Sequence, residues 1–139
     1  MYLALKCLHV LAAVAYLGNI ALALVQKLDA DRSREPRLMA HALRAVVAGD
    51  RWITVPAATV LTASGIAMAV IAGVPLLRTG WLWQGASLLA LSGLMYAWPL
   101  GPDQRRMLAL ARAAVAGGAF DAARYRRLSR RWLAFAVAS

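Results

Sequence analysis

Residues 53–77, ITVPAATVLTASGIAMAVIAGVPLL, run for twenty-five positions without one charged side chain. A helix needs about 20 apolar residues to cross a hydrocarbon layer about 30 Å thick, so this stretch reads as a membrane span. Residues 81–100, WLWQGASLLALSGLMYAWPL, are also free of charge, whereas 3–25, LALKCLHVLAAVAYLGNIALALV, carry Lys6, His9 and Asn19. The whole chain agrees with its blocks: 62% of residues are hydrophobic, 16% are charged, and the mean hydropathy is +0.60. Soluble domains run near half apolar and a quarter charged, which excludes a soluble globular monomer. The chain therefore reads as one transmembrane domain over residues 1–139, an all-α integral membrane four-helix bundle with three full spans and a short fourth. That fourth run starts about Trp132, and the eight residues left make only roughly 12 Å of helix at about 1.5 Å each. It reads as a half-inserted tail or as the start of a span that a longer chain completes. No basic region precedes the first apolar run, which is too long for a signal-peptide core and reads as a retained span.

Charge sets the orientation. Fourteen of the sixteen Lys and Arg residues fall between spans one and two (Lys27 to Arg51) or after span three (Arg105 to Arg131). Cytoplasmic loops carry the excess of basic residues, so both segments lie inside and the N-terminus and Arg78 lie outside. The net charge of +10 is then a topological signal and not a nucleic-acid footprint. Trp52, Trp98 and Trp132 line up at the inner interface, and Tyr2, Trp81 and Trp83 at the outer one, as two aromatic belts.

Within the inner segments, Ser33-Arg34-Glu35-Pro36 marks a helix start, and residues 36–48 form an amphipathic helix. Arg37, His41 and Arg44 share its polar face, while Leu38, Met39, Leu43, Val46 and Val47 share its apolar face. It lies on the inner membrane surface or against its own bundle. Asp103 is the expected N-cap of a second such helix running to Ala116, which Gly117-Gly118 stops. Membrane lipids are the expected partners of these basic segments.

Ionisable groups inside spans are costly and face the bundle interior. On a helical projection Lys6, His9, Ala13 and Tyr16 share one stripe of span one. Span two gathers Thr54, Ala58, Gly65, Ala69 and Ala72, with Met68 beside them; span three gathers Gln84, Gly85, Ser92 and Tyr96. These small and hydroxyl-bearing faces are packing faces. Lys6, Cys7, His9, Met68, Gln84 and Ser87 fall in the outer half of the membrane and form the candidate site. His9 suits either a hydrogen bond across the bundle or a haem or metal ligand, with Met68 or a second protomer's His9 opposite and Lys6 near a propionate. Lys6 can equally snorkel outward, Met68 pack in the core and Cys7 fill space. Copper is the softer-ligand alternative to haem b. The lone cysteine forms no intrachain disulfide. The chain lacks zinc, phosphate-loop and nucleophile-elbow patterns, and its spans carry no acid.

Four stretches, LKCLHVLAAVAYLGN, RWITVPAATVLTASGIAMA, YAWPLGPDQRRM and YRRLSRRWLAF, together resemble the predicted integral membrane proteins grouped as domain of unknown function 2269. The resemblance implies a multi-pass, four-span protein of the bacterial inner membrane and no particular reaction. More remotely, Lys6 and His9 followed by small residues and Gly18 resemble the first span of copper-resistance D and protoporphyrinogen-oxidase-like membrane proteins, which implies haem or copper at the histidine. Two functional classes are open to such a chain. One is a non-catalytic accessory or interaction subunit packed on other membrane subunits or on copies of itself; the other is a haem b- or copper-binding redox or transport protein centred on His9.

Overall fold

The computed structural model describes residues 1–75 and 78–138, and it is 89% helical. Helix α1 is Tyr2–Ser33, α2 is Pro36–Gly49, α3 is Val55–Ile71, α4 is Gly80–Met95, α5 is Gly101–Val115 and α6 is Ala122–Ala138. A π-turn over Asp50–Thr54 fuses α2 to α3, and a second over Tyr96–Leu100 fuses α4 to α5. The described chain is thus four continuous helices in an all-α membrane bundle. Two of them, Tyr2–Ser33 and Pro36–Ile71, are long and apolar enough to cross a membrane. At about 1.5 Å per residue they reach about 48 and 54 Å, well beyond a hydrocarbon layer, so each extends into water at one end. The end expected for span two, at residues 76–77, lies outside the described residues, as does residue 139.

Proline explains both π-turns. Pro56 has no N–H for the carbonyl one turn back and crowds it, as do Pro99 and Pro102 in the other helix. The helix answers by widening: Val55 N–H bonds the Asp50 carbonyl and Gly101 N–H bonds the Tyr96 carbonyl, both five residues back. Gly101 suits the turn, because a Cβ there would stand 3.1 Å from the Tyr96 oxygen, a tighter contact than most side chains make. Trp52 and Trp98 stand on these turns, 72% and 86% exposed, as an inner aromatic belt would.

The main cluster of buried apolar side chains lies at the second π-turn and on the α2, α5 and α6 side of the turns, while Ala12, Ala57 and Ala69 are buried on the other side. Met39 and Leu43 of α2, Met107, Leu108 and Ala111 of α5, and Tyr125 and Trp132 of α6 pack together. In α2, Pro36 is the first residue, Arg37, His41 and Arg44 are exposed, and Met39, Leu43 and Val46 are buried, whereas Leu38, expected on the same apolar face, is 48% exposed and Val47 is half-buried. The helix lies against α1 and α5, not flat on a membrane surface, because it is collinear with α3. Two further expectations are corrected. Asp103 does not cap a helix, since α5 runs on from α4 without a start; its carboxylate is fully buried and takes two bonds of 2.6 Å from Arg131. Trp132 does not stand in the aromatic belt but is 4% exposed beneath α1, because α6 already begins at Ala122 and folds back onto the core.

Lys27 of α1 ties that core to α6. Its ammonium is fully buried, donates to Asp31 and, at 2.7 Å, to Ser129, and lies 5.3 Å from the Trp132 ring centroid. Asp31 also accepts from the Tyr125 and Ser129 hydroxyls at 2.7 Å. Burial, and then the bond to Asp31, push the Tyr125 phenol far above its ordinary range, so it remains a donor at any physiological pH. Removing one partner of a buried ion pair strands the other. Lys27→Met is expected to cost about 3 kcal/mol, seen as a lower unfolding midpoint in detergent by circular dichroism, while Arg127→Met at an exposed position of the same end leaves the midpoint unchanged.

Candidate functional site

Polar side chains inside the membrane half meet in three levels. At the outer level, His9 Nδ1 lies 3.0 Å from Ser64 Oγ. The Ser64 hydroxyl also lies 2.6 Å from the Val60 carbonyl; with the hydroxyl donating there, its oxygen accepts from Nδ1–H of His9. Gly65 provides the clearance, because a Cβ there would stand 3.2 Å from His9 Cε1. The other residues expected near His9 are spread out: Lys6 and Cys7 are exposed on α1, Met68 is half-buried one turn beyond Ser64 on α3, and Gln84 and Ser87 are exposed on α4. Among the described residues no three His, Cys, Asp or Glu side chains form a metal-sized group.

At the middle level the Tyr16 hydroxyl and Ser92 Oγ are 2.9 Å apart, joining α1 to α4. The inner level is the richest, and sequence reading missed most of it. Asn19 donates to Thr54 at 2.8 Å, and Thr54 donates to Asp50 Oδ1 at 3.2 Å. Gln104 of α5 donates to Asp50 Oδ2 at 2.9 Å. Asp50 is 5% exposed and Gln104 4% exposed. Among the described residues Asp31 and Asp103 each have a cationic partner, but Asp50 is held by neutral donors alone. Asp50 went unnoticed because it lies among the inner loop charges in sequence; the π-turn is what rotates it inward.

Above this inner level a cleft of about 820 Å³ separates α1 and α3 from α4. Its walls are apolar and small, including Ala58, Thr62, Ala86, Ala90 and Gly93, and its inner end is closed by Asp50, Gln104, Tyr96 and Trp132. The faces expected to pack, around Ala58 on α3 and Ser92 and Tyr96 on α4, thus look at each other across a gap. The Trp132 indole N–H is buried without an acceptor.

The inner level is sterically tight. A Cβ on Gly49 would come within 2.8 Å of Asn19 Oδ1. Gly49→Ala is expected to lower stability by about 1–2 kcal/mol, the usual cost of overpacking, and Asn19→Ala in the same chain should recover part of that loss. Thermal unfolding of the two single variants and the double variant reads the coupling; strictly additive losses would contradict the contact.

The family described as predicted integral membrane protein (DUF2269) matches residues 3–139. The chain has no match among curated proteins and none among solved structures.

Proposed function

This chain belongs to the DUF2269 family of predicted integral membrane proteins, and we propose that it serves as a non-catalytic accessory or interaction subunit of a larger assembly in the bacterial inner membrane. In this reading the N-terminus is outside, α1, α3 and α4 supply the spans at 3–25, 53–77 and 81–100, and α6 dips its apolar end from Trp132 into the inner leaflet. The observation that carries the reading is α4. None of its sixteen residues is buried, although it bears a run of small residues suited to close helix approach. Its outer face, with Leu88 67% and Leu91 47% exposed, points away from the cleft at 100° per residue. A helix so poorly covered by its own chain is a docking surface for another membrane subunit or a second copy, and no feature calls for nucleic acid. Photo-crosslinking in cells tests this: a reactive residue at Leu88 or Leu91 should give one discrete heavier protein band, and one at Val14 on α1 should not. Lipid-sized adducts alone at the α4 positions would sink the proposal.

A second reading is favoured by the His9–Ser64 contact. Ser64 would hold Nδ1 as a second-sphere partner orients a ligating imidazole, and Nε2 would then be the atom that ligates haem b, with copper as the softer-ligand alternative. Met68 is the candidate opposite ligand and Lys6 the propionate partner. Protein expressed with ample haem should then show a Soret band that His9→Ala abolishes and His41→Ala leaves intact. Colourless wild-type protein eliminates this reading.

A further inference from the structure

The cleft differs from the outer face of α4 in one respect: it ends on a buried acid. Asp50 is 5% exposed, lines the cleft, and has no cationic partner among the described residues. Burial pushes the Asp50 carboxyl above its ordinary range, against the lowering effect of the bonds from Gln104 and Thr54, and a cation beside it would favour the ionised form. The floor of the cleft presents this carboxyl and hydrogen-bonding groups, and the walls above it are mostly apolar, with Tyr16, Thr59, Thr62 and Ser92 the polar exceptions.

The cleft, at about 820 Å³, lies in the usual range of small-molecule sites. Several wall residues, Thr59, Thr62, Ala63 and Ala86 among them, are exposed in the isolated chain, so the cleft is open sideways to entry from the bilayer.

We propose that the cleft is a binding site for one phosphatidylethanolamine-type lipid of the inner leaflet, its primary ammonium on Asp50 and an acyl chain between α3 and α4. The ammonium provides the cation that Asp50 lacks and donates to it. The Tyr96 hydroxyl and the Gln104 amide complete the polar end. This site uses the inner face of α4 and stands apart from the subunit-docking role of the outer face, so either can fail without the other.

Native mass spectrometry of the full chain in detergent tests it, with phosphatidylethanolamine, phosphatidylcholine and phosphatidylglycerol of identical acyl chains as probes. One phosphatidylethanolamine should be retained about tenfold more than either other lipid, since phosphatidylcholine has no N–H to donate and phosphatidylglycerol has no cation. Asp50→Asn should abolish that preference, and Ala90→Leu, which fills the cleft wall, should abolish retention, with helicity unchanged in both. Equal retention of the three lipids by the wild type overturns the proposal without reference to any variant. A preference that survives Asp50→Asn overturns the head assignment, and one that survives Ala90→Leu overturns the seat of the chain. A dimer that carries no lipid shows the cleft to be filled by a second copy and overturns the proposal as a whole.

Discussion

The buried ammonium of Lys27 is the tie on which the arrangement depends. An ion in a protein interior is tolerated when its charge is paired and its protons are placed, and Lys27 has a carboxylate, a hydroxyl and two aromatic rings for that purpose. The partners come from α1 and α6, so the contact fixes the last helix against the first. Arg131 on the same helix then grips Asp103 of α5 with both ends of its guanidinium fork. With α2 packed between, the inner ends of all the long helices become one cross-linked unit. Their outer ends have no such constraint. Lipid tails are as apolar as leucine, so no hydrophobic force drives helices together inside the bilayer, and there the protein relies on close packing of α1 on α3 and on polar contacts: His9 to Ser64, Tyr16 to Ser92, Asn19 to Thr54. Helix α4 stands off across the cleft.

The two π-turns are where one regime gives way to the other. Each is forced by a proline and each widens the helix by a residue, which rotates the faces of the helix after the turn relative to those before it. In the α2–α3 helix the shift turns Asp50 toward α5, where Gln104 waits, while Trp52 two positions later points out. In the α4–α5 helix the backbone carbonyl of Tyr96 comes near Gly101, where a Cβ would stand 3.1 Å from it and the turn would have to give. The same irregularity therefore lets a long helix keep an apolar face for lipid above and a core-forming face for water below.

How much of this the sequence discloses depends on the range of the interactions. Spans, the basic inner segments and the apolar face of α2 are periodic within a few turns, so they can be read locally, down to Pro36 as first residue and Gly117, at φ 90°, as the stop after α5. The polar ties join residues far apart in the chain: Asp50 and Gln104 are separated by 54 positions, Lys27 and Ser129 by 102. Nothing near Lys27 distinguishes it from the topological arginines around it, and Trp132 has the local surroundings of a belt residue. One signal was available. The chain holds only six acids, and four of them, Asp29, Asp31, Asp50 and Asp103, lie within two turns of a span end, where acids contribute little to orientation and so need another reason to be there. His9 was legible because a lone imidazole in an apolar span demands a partner, though its partner, a serine on another helix, was not.

Structural pairing consumes few of the basic residues, and the rest govern how the protein sits in the bilayer. On α6, Tyr125, Ser129 and Trp132 turn inward, whereas Arg124, Arg126, Arg127 and Arg130 are exposed. Arg37, Arg44, Arg105 and Arg112 are exposed on the neighbouring helices. The cross-linked inner end is therefore ringed with guanidinium groups that the fold holds beside the bilayer instead of leaving on a mobile tail. Each such charge near an anionic leaflet contributes about 1 kcal/mol. A ring of them on a rigid unit resists both translocation and tilt, because no single arginine can move without the others. The Lys27 and Arg131 contacts that close the core thus also hold these exposed arginines together at one end of the bundle, away from the half that carries the cleft and the uncovered α4.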